Sequence, residues 1–82
     1  MATENVMTES EYRRIQDNLD DLIANKRQAI IAAIEEARSH GDLSENAEYE
    51  EARKDQAKNE SEISRLQYLL KTAVVIRDED VK

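Results

Sequence analysis

The stretch SHGDLSENAEY, residues 39–49, holds the only glycine of an 82-residue chain that has no proline. Long segments on either side space their apolar residues at intervals of three and four, the period of a helix with one buried face. Gly41 is suited to end the first of these helices, because glycine enters the left-handed conformation without steric cost. Arg38 and His40 then fall in the last turn, where positive charge meets the exposed carbonyls. Asp42 and Glu45 repeat the spacing of a capping box, and Ser44 or Asn46 is an alternative cap for the second helix. The stretch therefore predicts one bend between two helices.

The first arm carries its own start signal. Thr8 and Glu11 fit a capping box, with Met7 and Tyr12 placed as a hydrophobic staple. From there Tyr12, Ile15, Leu19, Leu22, Lys26, Ala29 and Ala33 form a stripe, widened by Ile23, Ile30 and Ile34. The second arm, from about Ser44 to about Val74, keeps the same alternation through Tyr49, Ala52, Gln56, Asn59, Ile63, Leu66, Leu70 and Ala73. Such a repeat is a coiled-coil seam. Folding back near Leu43 sets Leu22 against Ile63, Leu19 against Leu66, Ile15 against Leu70 and Ala33 near Ala52. The polar seam positions match in the same register, with Lys26 opposite Asn59 and Gln56 near Ile30. The expected fold is all-α: a long antiparallel two-helix coiled-coil hairpin with a short tail after the second helix. Its expected divisions are an N-terminal tail (1–7), the hairpin (8–76) and a polar C-terminal tail (77–82). Each arm of about 30 residues would be about 45 Å long at the α-helical rise. Alanines near the bend predict close helices and a slender tip. The run AVVI, residues 73–76, reads equally as a last helical turn, a strand seeking a partner, or a linker.

Composition narrows the function classes. Hydrophobic residues make up 39% and charged residues 38%, the balance of long helices rather than of a large globular core. Nineteen acids against twelve Lys plus Arg give a formal charge of −7. A chain this acidic does not wrap nucleic acid by phosphate neutralisation alone, so any such contact is local or mediated by a partner. The lack of cysteine excludes disulfides and thiolate metal sites. No run is long enough to span a membrane, and the N-terminus lacks an apolar signal core, which predicts a soluble cytoplasmic protein.

Capping needs one carboxylate or hydroxyl, yet the bend offers Asp42, Ser44, Glu45, Asn46 and Glu48. Two carboxylates at the end of a narrow arm can jointly bind a hard divalent cation, and Mg²⁺ takes only one or two protein carboxylates while keeping several waters. Two acids alone bind it weakly, so the remaining ligands would come from whatever the tip enters. His40 reads as a helix-terminal histidine rather than a metal ligand. Tyr49 reads as seam packing near the tip, and Arg53 with Lys54 as a solvated face. The glycosylation triplet Asn59-Glu60-Ser61 lies in mid-helix and carries no argument.

GDLSENAEY, with AAIEEARSH before it and EEARKDQ after it, resembles the N-terminal coiled-coil domain of the bacterial Gre-type transcript cleavage factors, over roughly residues 8–76. The resemblance implies a factor that binds RNA polymerase and inserts its hairpin through the secondary channel. There the tip acids, matched here by Asp42 and Glu45, help hold the second catalytic Mg²⁺ and position the water that cuts the RNA 3′ end of a backtracked transcript. Arg38 and Arg53 match the basic patch that contacts that RNA, and Gly41, Ser44, Asn46 and Tyr49 support the tip. The chain itself is then not an enzyme. Many relatives carry a proline after the arginine matched by Arg27; Gln28 stands there, which predicts a first helix without that kink. The family's second, FKBP-like domain is missing, pointing to an excised domain or a stand-alone short form with weaker hold on the polymerase. Two other readings follow from the same features: a channel-binding inhibitor that promotes no cleavage, and a coiled-coil module whose partner is a second copy of itself.

Overall fold

The computed structural model describes residues 5–42 and 46–80. A strand, β1 (Asn5–Thr8), leads into helix α1 (Glu9–Asp21), a π-helical turn (Leu22–Lys26) and helix α2 (Arg27–Ser39). After the bend come helix α3 (Ala47–Lys71), strand β2 (Ala73–Ile76) and a short 3₁₀ turn (Asp78–Asp80). The molecule is long and narrow, measuring 57 × 27 × 17 Å.

The start of α1 follows from its sequence. Thr8 Oγ1 accepts the Glu11 N–H at 3.1 Å, and the Glu11 carboxylate accepts the Thr8 N–H in return, completing the capping box. One face of α1 then packs on α3: Leu19, Leu22, Ile63 and Leu66 form a cluster, with Ile15, Ile23, Leu69 and Leu70 against it. Burying side chains of this size contributes about 1.5–3 kcal/mol each, so this cluster is the main anchor of the helix pair. Arg27 and Glu60 join the arms by a two-pronged ion pair at 2.9 and 2.8 Å. That hydrogen bonding holds the Glu60 carboxyl below its usual range and raises the Arg27 guanidinium. Nearer the bend, Ile30 and Ile34 pack with Ala52, and Tyr49 lies against them. Later residues of the first arm thus meet earlier residues of α3.

Two expectations need correction. The first arm is not one regular helix: the turn Leu22–Lys26 is wider, and the Arg27 N–H reaches back five residues to the Leu22 carbonyl. Gln28 removes a proline kink without making the helix regular. The wide turn accommodates one extra residue, which rephases everything after it. Ile30, Ile34 and Ala37 are buried, while Ala29 and Ala33 are exposed. Ala33 keeps only an edge place, beside Ala52 in a shallow surface groove. The bend half is therefore filled by isoleucine as well as alanine.

The second correction lies at the base. β1 and β2 form a parallel two-stranded sheet, with Asn5 beside Ala73, Val6 beside Val74, Met7 beside Val75 and Thr8 beside Ile76. Asn5, within the segment expected as a tail, also donates from Nδ2 to Thr72 Oγ1 at 2.7 Å. Strand alternation shows in burial: Met7 is buried while Val6 is 62% exposed. Asp78 accepts hydrogen bonds from the Ser10 hydroxyl and, at 3.1 Å, from the Ser10 N–H. The chain is thus mostly helical with a small strand clasp, rather than all-α.

Candidate functional site

The bend is built by two residues with separate tasks. Gly41 has φ +106°, a conformation that L side chains rarely adopt, and a Cβ there would meet no atom within 4 Å. Backbone conformation, not crowding, is what selects glycine. Its N–H donates to the Arg38 carbonyl at 3.3 Å, closing α2. Asn46 opens α3: its Oδ1 accepts the Tyr49 N–H at 3.1 Å, while its Nδ2 donates to the Ala37 carbonyl at 2.6 Å. One side chain both caps the second helix and ties it to the end of the first, where Ala37 is 2% exposed. Asn46, one of the candidate caps, thus serves as the N-cap of α3.

Asp42 stands exposed between Gly41 and the start of α3. It borders a shallow depression with His40, Asn46, Ala47 and Glu48. His40 Nδ1 and Glu48 Oε2 lie 3.1 Å apart across the bend, both well exposed. This pairing adds a partner to the reading of His40 as a helix-terminal group. Leu43, Ser44 and Glu45 lie outside the described residues, so the second tip acid and the Ser44 cap are not placed.

Tyr49 is half-buried against Ile30, Ile34 and Ala52, as its seam position predicts. Its rim is occupied by Arg53, whose guanidinium donates to the Tyr49 hydroxyl at 3.1 Å and lies 5.9 Å from the ring centroid. The hydrogen bond and the cation–π contact orient Arg53 without burying it. Arg38 is exposed in the last turn of α2. Sequence reasoning missed the Asn46 tether to Ala37 and the Tyr49–Arg53 contact. The second was accessible, because residues four apart on a helix meet on one face.

Among the described residues no helix is long and apolar enough to cross a membrane. A family model described as the N-terminal region of transcription elongation factors matches residues 5–75. The chain is 48% identical, over its whole length, to the transcription elongation factor GreA of Chloroherpeton thalassium, covering 52% of that protein. It is 53% identical over 70 residues to GreA of Thermodesulfovibrio yellowstonii, covering 85% of this chain and 44% of the relative. The GreA of Oenococcus oeni is 50% identical over 70 residues, covering 85% and 43%. The chain thus spans about half the length of the curated relatives it matches. With the helix pair, the glycine-closed bend and the match from Asn5 onward in agreement, the chain belongs to the GreA/GreB N-terminal family of transcription elongation factors.

Proposed function

We propose that the chain is an antiparallel helical hairpin that enters the secondary channel of RNA polymerase and stimulates cleavage of backtracked RNA. The observation that carries this reading is an exposed aspartate, Asp42, at a bend whose capping is supplied by Gly41 and Asn46. Presentation at the end of a narrow rod gives that carboxylate access to whatever the tip enters. The opposed order of contacts along the arms supports the hairpin, and kinship to transcription elongation factors supports the polymerase as partner.

A carboxylate is the hard oxygen donor that Mg²⁺ prefers, so Asp42 fits such an ion, with Glu45 as the proposed second donor. When held by polymerase and tip together, the ion would supply the Lewis acidity of a two-metal phosphodiester cut. The contributions of the chain itself are delivery and orientation. Asp42 and Glu45 bring negative charge and water-orienting oxygens to the active centre. Asn46 and Gly41 fix the bend that carries them. Arg38 and Arg53 contribute positive charge toward the displaced RNA 3′ segment, with Arg53 oriented by Tyr49. In this reading the chain is not an enzyme, because the polymerase performs the cut.

Stalled elongation complexes test the proposal. Wild-type protein is expected to shorten backtracked transcripts in Mg²⁺ buffer, and the Asp42→Asn, Glu45→Gln variant to lose roughly 10- to 100-fold of that stimulation. Equal cleavage by both proteins overturns it. Slowed nucleotide addition without shortened transcripts would instead favour a channel-blocking regulator. Self-association is favoured by a different observation, the exposed Val6, Val74 and Val75 on the two-stranded sheet. Sedimentation with and without polymerase separates that reading, which requires a tight oligomer indifferent to polymerase.

A further inference from the structure

Asn59 is 3% exposed at the seam of the helix pair, where an apolar side chain would ordinarily sit. Its Nδ2 donates to the Leu22 carbonyl at 3.3 Å, and among the described residues its Oδ1 accepts no hydrogen bond. The same carbonyl accepts the Arg27 N–H five residues on, so the amide of Asn59 shares an acceptor with the wide turn itself. A side chain reaching into the backbone ladder is a recognised cause of such a turn. The ion pair from Arg27 to Glu60, the neighbour of Asn59, closes over the same point.

The wide turn decides which face the distal half of the first arm presents. A helix advances about 100° per residue, so one extra residue in the turn shifts all later side chains by that amount. With the turn, Ile30, Ile34 and Ala37 fill the seam. A regular helix would carry the stripe on through Lys26, Ala29 and Ala33 and bring Glu36 to the place of Ala37. The bend is tied to the same phase, because Asn46 donates to the Ala37 carbonyl. We infer that Asn59 is a positioning residue: its buried amide holds the Leu22–Lys26 turn in its wide form and so sets the rotational phase at which the bend carries Asp42. The functional consequence rests on the proposed reading of Asp42, while the structural one does not.

The absence of cysteine makes a direct test available. Single Ala33→Cys and Ile34→Cys variants are labelled with a thiol reagent, each with Asn59 intact and with Asn59→Leu. With Asn59, the thiol of Ala33→Cys is expected to react about tenfold or more faster than that of Ile34→Cys, as an exposed site does against a protected one. With Asn59→Leu, which retains an apolar seam and is expected to melt no lower than the parent, the preference is expected to vanish or invert. Asn59→Gln keeps an amide donor and is expected to retain the original preference. An unchanged labelling pattern in Asn59→Leu overturns the inference. In the cleavage assay Asn59→Leu is expected to lose activity on the order of 100-fold while remaining folded, the size of effect that misplacement of a reacting group produces. A shifted labelling pattern with full cleavage overturns the link to Asp42. If wild-type protein does not stimulate cleavage at all, the reading of Asp42 fails, and the labelling pattern alone decides the role of Asn59.

Discussion

Asn46 uses both ends of its amide, and the two uses can be separated by substitution. Its oxygen caps α3 at the Tyr49 N–H, and its nitrogen adds a second donor to the Ala37 carbonyl across the bend. Aspartate is as good a helix cap as asparagine, so a residue chosen for capping alone would tolerate the exchange. Here Asn46→Asp would set a carboxylate against a carbonyl in place of a 2.6 Å donor contact. Asn46→Ala is expected to cost about 1 kcal/mol through the lost cap, plus the lost side-chain bond to the Ala37 carbonyl, which keeps the His40 N–H at 3.2 Å. Asn46→Asp is expected to destabilise as well, despite its capping ability, because the lost donor becomes a repulsion. Urea unfolding of the parent and both variants checks this. An Asn46→Asp variant as stable as the parent would mean that the tether to Ala37 contributes nothing and that Asn46 is a cap alone.

At the scale of elements, the first arm separates a pattern read from sequence from one imposed by contact. Leu19 and Leu22 lie in the seam as their spacing requires, and so do Ala52, Asn59, Ile63 and Leu66 on the second arm. Beyond Leu22 the centre of the stripe slips by one residue, onto the Ile30 and Ile34 read as its edge, since the π turn arises from Asn59, which lies 37 positions away in the chain. A local period cannot register a partner at that distance; the visible signs were the polar seam positions Lys26 and Asn59, set opposite each other. The slip yields opposite expectations for neighbouring residues. Ile34→Ala removes a buried side chain and is expected to cost about 2 kcal/mol, whereas Ala33→Gln places a polar group at an exposed site and is expected to be nearly neutral. Thermal melting of both variants settles the phase, and a greater loss from Ala33→Gln would restore the regular stripe. The caps of the bend were easier to read, because Gly41 closes α2 and Asn46 opens α3 through atoms three residues away, whereas the tether to Ala37 spans nine positions. The strands were harder. Four residues give little period, and β2 is recognisable as a strand only once β1 is beside it.

Over the whole molecule, the strand clasp joins segments that only the folded arms bring together. Asn5 and Thr72 are 67 positions apart, and Ser10 and Asp78 are 68 apart, so closing either contact on an open chain carries a large entropic cost. Once the Leu19–Leu66 cluster has formed, the ends of the arms are already neighbours, and the clasp adds to a closure already made. Asp78 is the charged element of that clasp. Its carboxylate faces the first turn of α1, accepting from the side chain and backbone of Ser10, where a helix N-terminus favours negative charge. The Ser10 hydroxyl bond, then the Ser10 N–H bond, with smaller help from Thr8 and Arg13, hold its carboxyl below the usual aspartate range. A lowered native pKa means that the unfolded chain binds the proton more readily than the folded one. The stabilisation is therefore complete above the ordinary aspartate value of about 3.9, and it is lost as pH falls through the lower native value. Glu60 and Glu62 are lowered in the same direction by Arg27 and Arg65, so acid destabilises the whole chain by more than one route. Comparison with Asp78→Asn isolates the clasp, because those two glutamates are common to both proteins and the amide oxygen can still accept from Ser10. At pH 7 the variant is expected to melt lower than the parent, and the gap to close as both are titrated from about pH 5 to about pH 2. Melting curves across that range check it. A gap that persists unchanged at the acid end would mean that Asp78 holds the base through its shape and hydrogen bonding, with no part played by its charge.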